Sequence, residues 1–274
     1  MLRNSFLFFL LALIIGLSAS AIEKDTVGAH DLRFIENKNQ WDRNILFGAD
    51  LPDGNMFLEK NCITFNFRDK KQIKKIFSYK NNVKNQHNAE QLNDEEYFIN
   101  CHAYKMYFKN CNENPEIIKE DAFSDYFNFY IGNDKNKWSS NVKSFRGVTY
   151  KNIYNNIDYR IFNKDSYLKY EFIIRKAGNP DDIILEFAGT KEMLIQDKNL
   201  IIKTSVNQII ELAPFAYQMI NGEKVKVECL YKLKNNRITY AFPSGYDKNL
   251  ELVIDPVLIF SGVTGSTADN WGFT

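Results

Sequence analysis

Imidazole bases are nearly missing from this chain: its 274 residues hold 3 histidines, His30, His87 and His102, with no G-x-S-x-G elbow to accompany them. Nucleophilic catalysis needs a nucleophile, a base and an orienting group within hydrogen-bond reach, so no catalytic residue is assigned and no enzyme is expected. Zinc-type spacings are also missing, since neither C-x-x-C nor H-x-x-H occurs, and no metal or cofactor is expected. Charge of one sign is lacking too. The formal net charge is +1, and setting aside Arg3, the one charged residue before Glu23, leaves 34 basic against 34 acidic groups. A surface built to coat nucleic acid is thereby excluded. No N-x-S/T tripeptide follows residue 21, so eukaryote-style glycosylation is not indicated.

Long apolar runs are confined to the start. Arg3, the stretch from Phe6 to Leu17 and the small residues Ala19, Ser20 and Ala21 read as a secretory signal peptide cleaved after Ala21. About 12 apolar residues fall short of the roughly 20 a membrane-spanning helix needs. The later run from Leu252 to Phe260 is broken by Asp255 and Pro256. The first cysteine is Cys62, which argues against a lipid anchor at the cleavage site. An exported protein follows, in the periplasm, at the cell surface or outside the cell, with no membrane insertion after cleavage.

What is abundant is short alternation. Hydrophobic residues make up 45% and aromatic residues 15%, enough for one large core or two modest ones. Period-2 segments bounded by turn residues recur, the mark of antiparallel strands. Ile63, Phe65 and Phe67 share one face of a strand that pairs with Asn55 to Glu59 across Lys60 and Asn61. Cys101 to Phe108, Ile157 to Phe162, Leu168 to Ile174, Ile183 to Phe187, Ile238 to Phe242 and Leu250 to Ile254 read the same way. Asn221-Gly222 marks a type I′ hairpin between Phe215 to Ile220 and one continuous strand from Lys224 to Leu233. Asp255-Pro256 should end the sheet. The expected architecture is an all-β, antiparallel sandwich-like domain with long loops over residues 32 to 256, as one core or two sub-units, after a tail at 22 to 31.

Three segments carry specific expectations. Residues 69 to 96, with Lys70, Lys71, Lys74 and Lys75 followed by Glu90, Asp94, Glu95 and Glu96, read as a long exposed loop in preference to a polyanion patch. The aromatic run of Phe123, Tyr126, Phe127, Phe129, Tyr130 and Trp138 should fill the core, because aromatic residues more often serve burial; the other reading is a platform stacking on sugars or a partner's side chains. Four cysteines allow three pairings. If the strand from Cys62 pairs antiparallel with Cys101 to Phe108, Cys62 faces the end near Cys111, so that pair is named first, with Cys229 as a buried hydrophobe. Carboxylates for glycoside hydrolysis are available in Asp158, Asp181, Asp182 and Asp255, although neighbours such as Asp181 and Asp182 more often close turns. Asn133 and Asp134 lack the alternating ligand pattern of a calcium loop.

Eight ordered blocks carry a resemblance: FIENKNQW from Phe34, MFLEKN from Met56, HAYKMYF from His102, FYIGNDKNKWSSNV from Phe129, YKNIYNNIDYRIF from Tyr150, LKYEFII from Leu168, PFAYQMINGEKV from Pro214 and LVIDPVLIFS from Leu252. Together they resemble the N-terminal domain of unknown function that precedes SBBP-type β-propeller repeats in large exported proteins of Bacteroidota-like bacteria. The resemblance spans about residues 32 to 274. It implies that 257 to 274 open a first propeller repeat, that this chain is a truncated member, and that fuller members carry a type IX sorting domain. In that family a glycine follows the E-K-N turn where Cys62 stands here, so no disulfide is implied by the resemblance. The expected function is a non-catalytic surface or secreted module for adhesion or ligand presentation, leading into a propeller. Its expected partners are that propeller and a glycan or surface protein. A carbohydrate-active enzyme using paired carboxylates and a purely structural propeller cap are the alternatives.

Overall fold

A computed structural model describes residues 32–85, 98–164 and 167–262, which belong to one compact unit. The expected signal peptide and the expected tail at 22 to 31 lie outside the described residues. In chain order the strands are β1 (Phe34–Glu36), β2 (Ile45–Leu51), β3 (Gly54–Glu59), β4 (Cys62–Arg68), β5 (Cys101–Phe108), β6 (Glu116–Ala122), β7 (Phe127–Phe129), β8 (Ser139–Val142), β9 (Ser144–Tyr154), β10 (Ile157–Lys164) and β11 (Tyr167–Ile174). There follow β12 (Leu185–Ala188), β13 (Glu192–Gln196), β14 (Asn199–Lys203), β15 (Asn207–Glu211), β16 (Phe215–Ile220), β17 (Glu223–Val227), β18 (Leu230–Lys234), β19 (Arg237–Ala241), β20 (Leu252–Asp255) and β21 (Leu258–Gly262). One helix, α1 (Lys70–Asn85), separates β4 from β5. The expected all-β antiparallel class holds.

The alternating segments fold as their periodicity dictates. β3 and β4 pair Met56 with Phe65 and Leu58 with Ile63, and Ile63, Phe65 and Phe67 turn inward, nearly inaccessible to solvent. Their close approach requires Gly54, where a Cβ would stand 2.0 Å from the Asn66 carbonyl oxygen. Asn221 and Gly222 take φ of 52° and 84°, the left-handed pair a type I′ turn demands.

Strand pairing runs β17-β16-β20-β11-β10-β9 and continues through β1 into β2-β3-β4-β5-β12-β19-β18. The joint is narrow: β1 pairs with β9 only through Phe34 with Phe145 and Ile35 with Ser144. At that joint the path folds over, because the two halves face each other across the core. Phe108 of β5 meets Tyr159 of β10 at 4.8 Å, Tyr150 of β9 at 6.2 Å and Phe172 of β11 at 6.5 Å between ring centroids. Phe172 in turn meets Tyr240 of β19 at 6.1 Å. This is a sandwich, its layers locked by rings in edge-on and tilted contact, each worth about 0.5–1.5 kcal/mol beyond area burial.

Four expectations are corrected. Residues 70–85 form a helix where an exposed loop was expected: Gln72, Ile73, Ile76 and Tyr79 lie on its inward side at three- and four-residue spacing, while four lysines stay in water. The Asp69 carboxylate caps it by accepting from the Lys71 and Gln72 amides. The rest of that expected loop, residues 86–97, lies outside the described residues. The strand expected from Lys224 to Leu233 breaks after Val227, so that β17 and β18 sit at opposite ends of the strand path. Its alternation persisted because Val227, Cys229 and Tyr231 all face the core as the chain crosses between layers. All four cysteines are free thiols. Cys62 does pair across from β5 as foreseen, but opposite Tyr107, and Cys111 lies beyond the strand end.

The fourth concerns the end of pairing expected at Asp255-Pro256. Residues 258–262 are β21, which pairs with β15 from Leu258 opposite Glu211 to Gly262 opposite Asn207. With β13 and β14 they make a four-stranded sheet whose Leu200, Ile202, Ile209 and Leu258 enter the common core. Ending the chain after Pro256 removes a paired strand and the buried Leu258, worth about 1.5–3 kcal/mol for that side chain alone. Thermal unfolding of the shortened chain is therefore expected about 5 °C lower than that of the full chain. Equal or higher stability on shortening contradicts this role for β21.

Candidate contact surface

The aromatic run does not fill the core. Tyr126 is 54% exposed, Tyr130 60%, Ile131 78% and Trp138 38%, and every residue from 130 to 138 faces solvent. β7 and β8 form a two-stranded hairpin apart from the other sheets, and two strands cannot bury both of their faces. The Asn133-to-Lys137 run and Gly132 at φ 74° were the signal for a tip.

At the hairpin's base the rings are anchored. Phe129 packs on Trp41 at 5.7 Å, and Trp41 packs on Phe57 of β3 at 5.6 Å. Arg33 and Arg146 lie over Phe123, at 4.0 and 4.3 Å from the ring centroid. Arg33 donates to both carboxylate oxygens of Asp125 at 2.7 and 2.6 Å, which holds that carboxyl below its ordinary value. At the tip Asp134 caps a 3-10 turn, Lys135–Lys137, by accepting from the Asn136 amide. Trp138 donates its indole N–H to the Gly132 carbonyl at 3.1 Å, and Tyr130 meets Trp138 edge-on at 5.8 Å and 74°. Lys135 Nζ lies 5.8 Å from the Trp138 ring.

The carboxylates named from sequence scatter. Asp158 is a clamp: it pairs with Lys151 at 2.5 Å and with Arg175, and accepts from the Asn152 amide, which together hold its carboxyl low against the opposing effect of burial. Asp181 and Asp182 form a 3-10 turn capped by Asn179, at the rim of an open cleft of about 420 Å³ that also holds Cys111 and Tyr154. Asp255 has a carboxyl neighbour on another strand, Glu171, which sequence reasoning missed. Arg160 of β10 faces Glu171 of β11, and β11 in turn pairs with β20. Burial, and next the Asp255 charge, raise the Glu171 carboxyl, while Arg160 and Lys169 offset part of that. His102 is structural. Its Nε2 lies 2.7 Å from the Gly189 carbonyl and so carries the proton, leaving Nδ1 to accept from the Ser205 amide.

One buried carboxyl lies where the four-stranded sheet meets both halves of the main one. Glu211 of β15 accepts from Tyr170 of β11 and Tyr231 of β18, both at 2.5 Å, and Tyr240 of β19 sits 3.3 Å from the Tyr170 hydroxyl. Burial pushes Glu211 upward, only partly offset by the two hydroxyls. A cavity of about 10 Å³ beside it has room for about one water.

A family model described as "Domain of unknown function (DUF7948)" matches residues 34–257. The chain belongs to this family. Its last matched residue stands one position before β21, so the strand that completes the small sheet falls just beyond the family's matched span. No curated protein and no solved structure matches the chain.

Because the folded protein raises Glu211 above its unfolded value near 4.3, stability from this group is fully present below that value and is lost as pH rises through the raised one. Glu211→Gln is expected to flatten the decline in melting temperature as pH rises above about 4. An unchanged pH profile in the variant would show that Glu211 does not set it.

Proposed function

We propose that this protein is a non-catalytic exported module for adhesion or ligand presentation, with the aromatic hairpin as its contact surface and a propeller following it in fuller relatives. The observation that carries the reading is the exposure of Tyr126, Tyr130, Ile131 and Trp138 on a hairpin anchored from behind by Trp41 and Phe57. Large aromatic side chains left in water on a rigid support favour a partner, since tyrosine and tryptophan dominate the energetics of contact surfaces. The apolar N-terminal stretch read as a signal peptide supports export, and a glycan, a surface protein or the envelope itself are the partners to be tested. Beads coated with the full chain are expected to be retained on immobilised cell envelopes. Tyr130→Ala with Trp138→Ala should lower that retention about tenfold at unchanged melting temperature. Equal retention would end this reading.

A second reading has one observation in its favour. Burial and the Asp255 charge raise the Glu171 carboxyl, the direction a general acid of glycoside hydrolysis requires. Release of reducing sugar from a polysaccharide by the full chain, lost in Glu171→Gln, is its expected signature.

A further inference from the structure

We propose that the hairpin docks on an anionic lipid surface, with Tyr130, Ile131 and Trp138 entering the headgroup region and Lys135 and Lys137 meeting its charge; this rests on the reading of the hairpin as the contact surface. Shape decides first. The tip is a knob, exposed at every residue from 130 to 138, whereas small ligands and sugars are held in concave sites or on flat rings. Tyr130 and Trp138 are inclined at 74° and share no flat face. The most exposed large apolar residue of the hairpin is Ile131, at 78%, which has nothing to offer a sugar hydroxyl but suits the boundary of a hydrocarbon layer. Tyrosine and tryptophan are the side chains that favour this depth, each with an apolar body and a polar edge.

Charge decides second. Neither Lys135 nor Lys137 has a carboxylate partner among the described residues. Of the acids nearest in sequence, Asp125 is paired with Arg33, while Asp134 accepts from the Asn136 amide and keeps its charge. The tip from 130 to 138 thus carries two cations against one carboxylate, a surplus of one positive charge, although the protein as a whole is nearly neutral. The Trp41 and Phe57 support fixes the knob in advance, so little ordering is lost on contact. Interfacial contact of this kind needs no membrane-crossing segment, and no helix among the described residues is long and apolar enough to be one.

Sedimentation of the full chain with vesicles tests the proposal, using phosphatidylcholine alone and phosphatidylcholine mixed with phosphatidylglycerol. Binding is expected on the mixed vesicles and to fall with added salt. Ile131→Asp should weaken it, and Lys135→Gln with Lys137→Gln should weaken it on the order of thirtyfold. All variants share the apolar stretch from Phe6 to Leu17, so its contribution cancels in the ratio, and circular dichroism and melting temperature verify the fold. Equal sedimentation of variants and parent overturns the proposal, as does equal binding to phosphatidylcholine alone. Hairpin-dependent binding of alginate or of a protein ligand without vesicle binding also overturns it. If the bead assay loses retention in the hairpin variants while vesicle binding does not change, the contact surface stands and the lipid assignment falls. If neither assay responds, both fall.

Discussion

The fold depends on rings meeting across the sandwich. β1 joins the two halves of the strand path through two residue pairs, too few to hold them face to face. What holds them is Phe108 set among Tyr150, Tyr159 and Phe172, with Tyr240 continuing the contact. Choosing tyrosine over phenylalanine in such a core imposes a second requirement, because a buried hydroxyl without a partner costs about 1–3 kcal/mol. Tyr150 donates to the Glu59 carbonyl and Tyr154 to the Ile184 carbonyl, so hydroxyls that need satisfaction become ties between loops and layers. Tyr170 and Tyr231 do the same through Glu211, and there the tie recruits the small sheet.

A core closed in this way determines what stays outside. The chain passes from β6 to β9 through residues 123–143 while β9 is already occupied by β6, β10 and β1. β9 itself has no free edge there, and the intervening residues pair with each other as β7 and β8 and lean on Trp41. Exposure of Tyr130 and Trp138 is a consequence of topology, then, and not of weak hydrophobicity. Where a chain retains such residues in water despite the cost in solubility, a contact made outside the domain gives them a use.

Local pattern carried most of the strand assignment, since a period of two survives burial on one face: Ile63, Phe65 and Phe67 or Tyr159 and Ile161 could hardly point elsewhere. Pattern fails where two structures share it. The alternation of Val225, Val227, Cys229, Tyr231 and Leu233 looks like one strand, yet the chain crosses between layers within it, and periodicity cannot register a change of sheet. In α1 the helical spacing of Ile73, Ile76 and Tyr79 was masked by many polar neighbours. The aromatic hairpin was misjudged for a different reason. Hydrophobic content says that a ring prefers burial, but whether a place in the core exists is a global property, and the polar run from Asn133 to Lys137 was the local hint that none did. Glu171 was invisible because its partner Asp255 lies 84 residues further on, brought alongside by the pairing of β11 with β20.

The same logic separates the charged clusters from one another. Asp158 sits among Lys151, Arg175 and a backbone amide, a set that satisfies every lone pair it can and leaves nothing for chemistry. Glu171 and Asp255 form a less settled group, two acids against the more distant Arg160 and Lys169 at 3.6 and 3.5 Å. One oxygen of Asp255 is buried with no hydrogen-bond partner among the described residues. The lysines of the hairpin tip are the opposite case, two cations against the single carboxylate of Asp134 and in no ion pair among the described residues. An overall charge near zero therefore conceals a local surplus, and the surplus is placed where the apolar exposure is greatest. Neither property alone distinguishes the hairpin from an ordinary surface loop. Their coincidence on one anchored knob does, because water satisfies the lysines while leaving Ile131 and Tyr130 unsatisfied, and an anionic interface answers both at once.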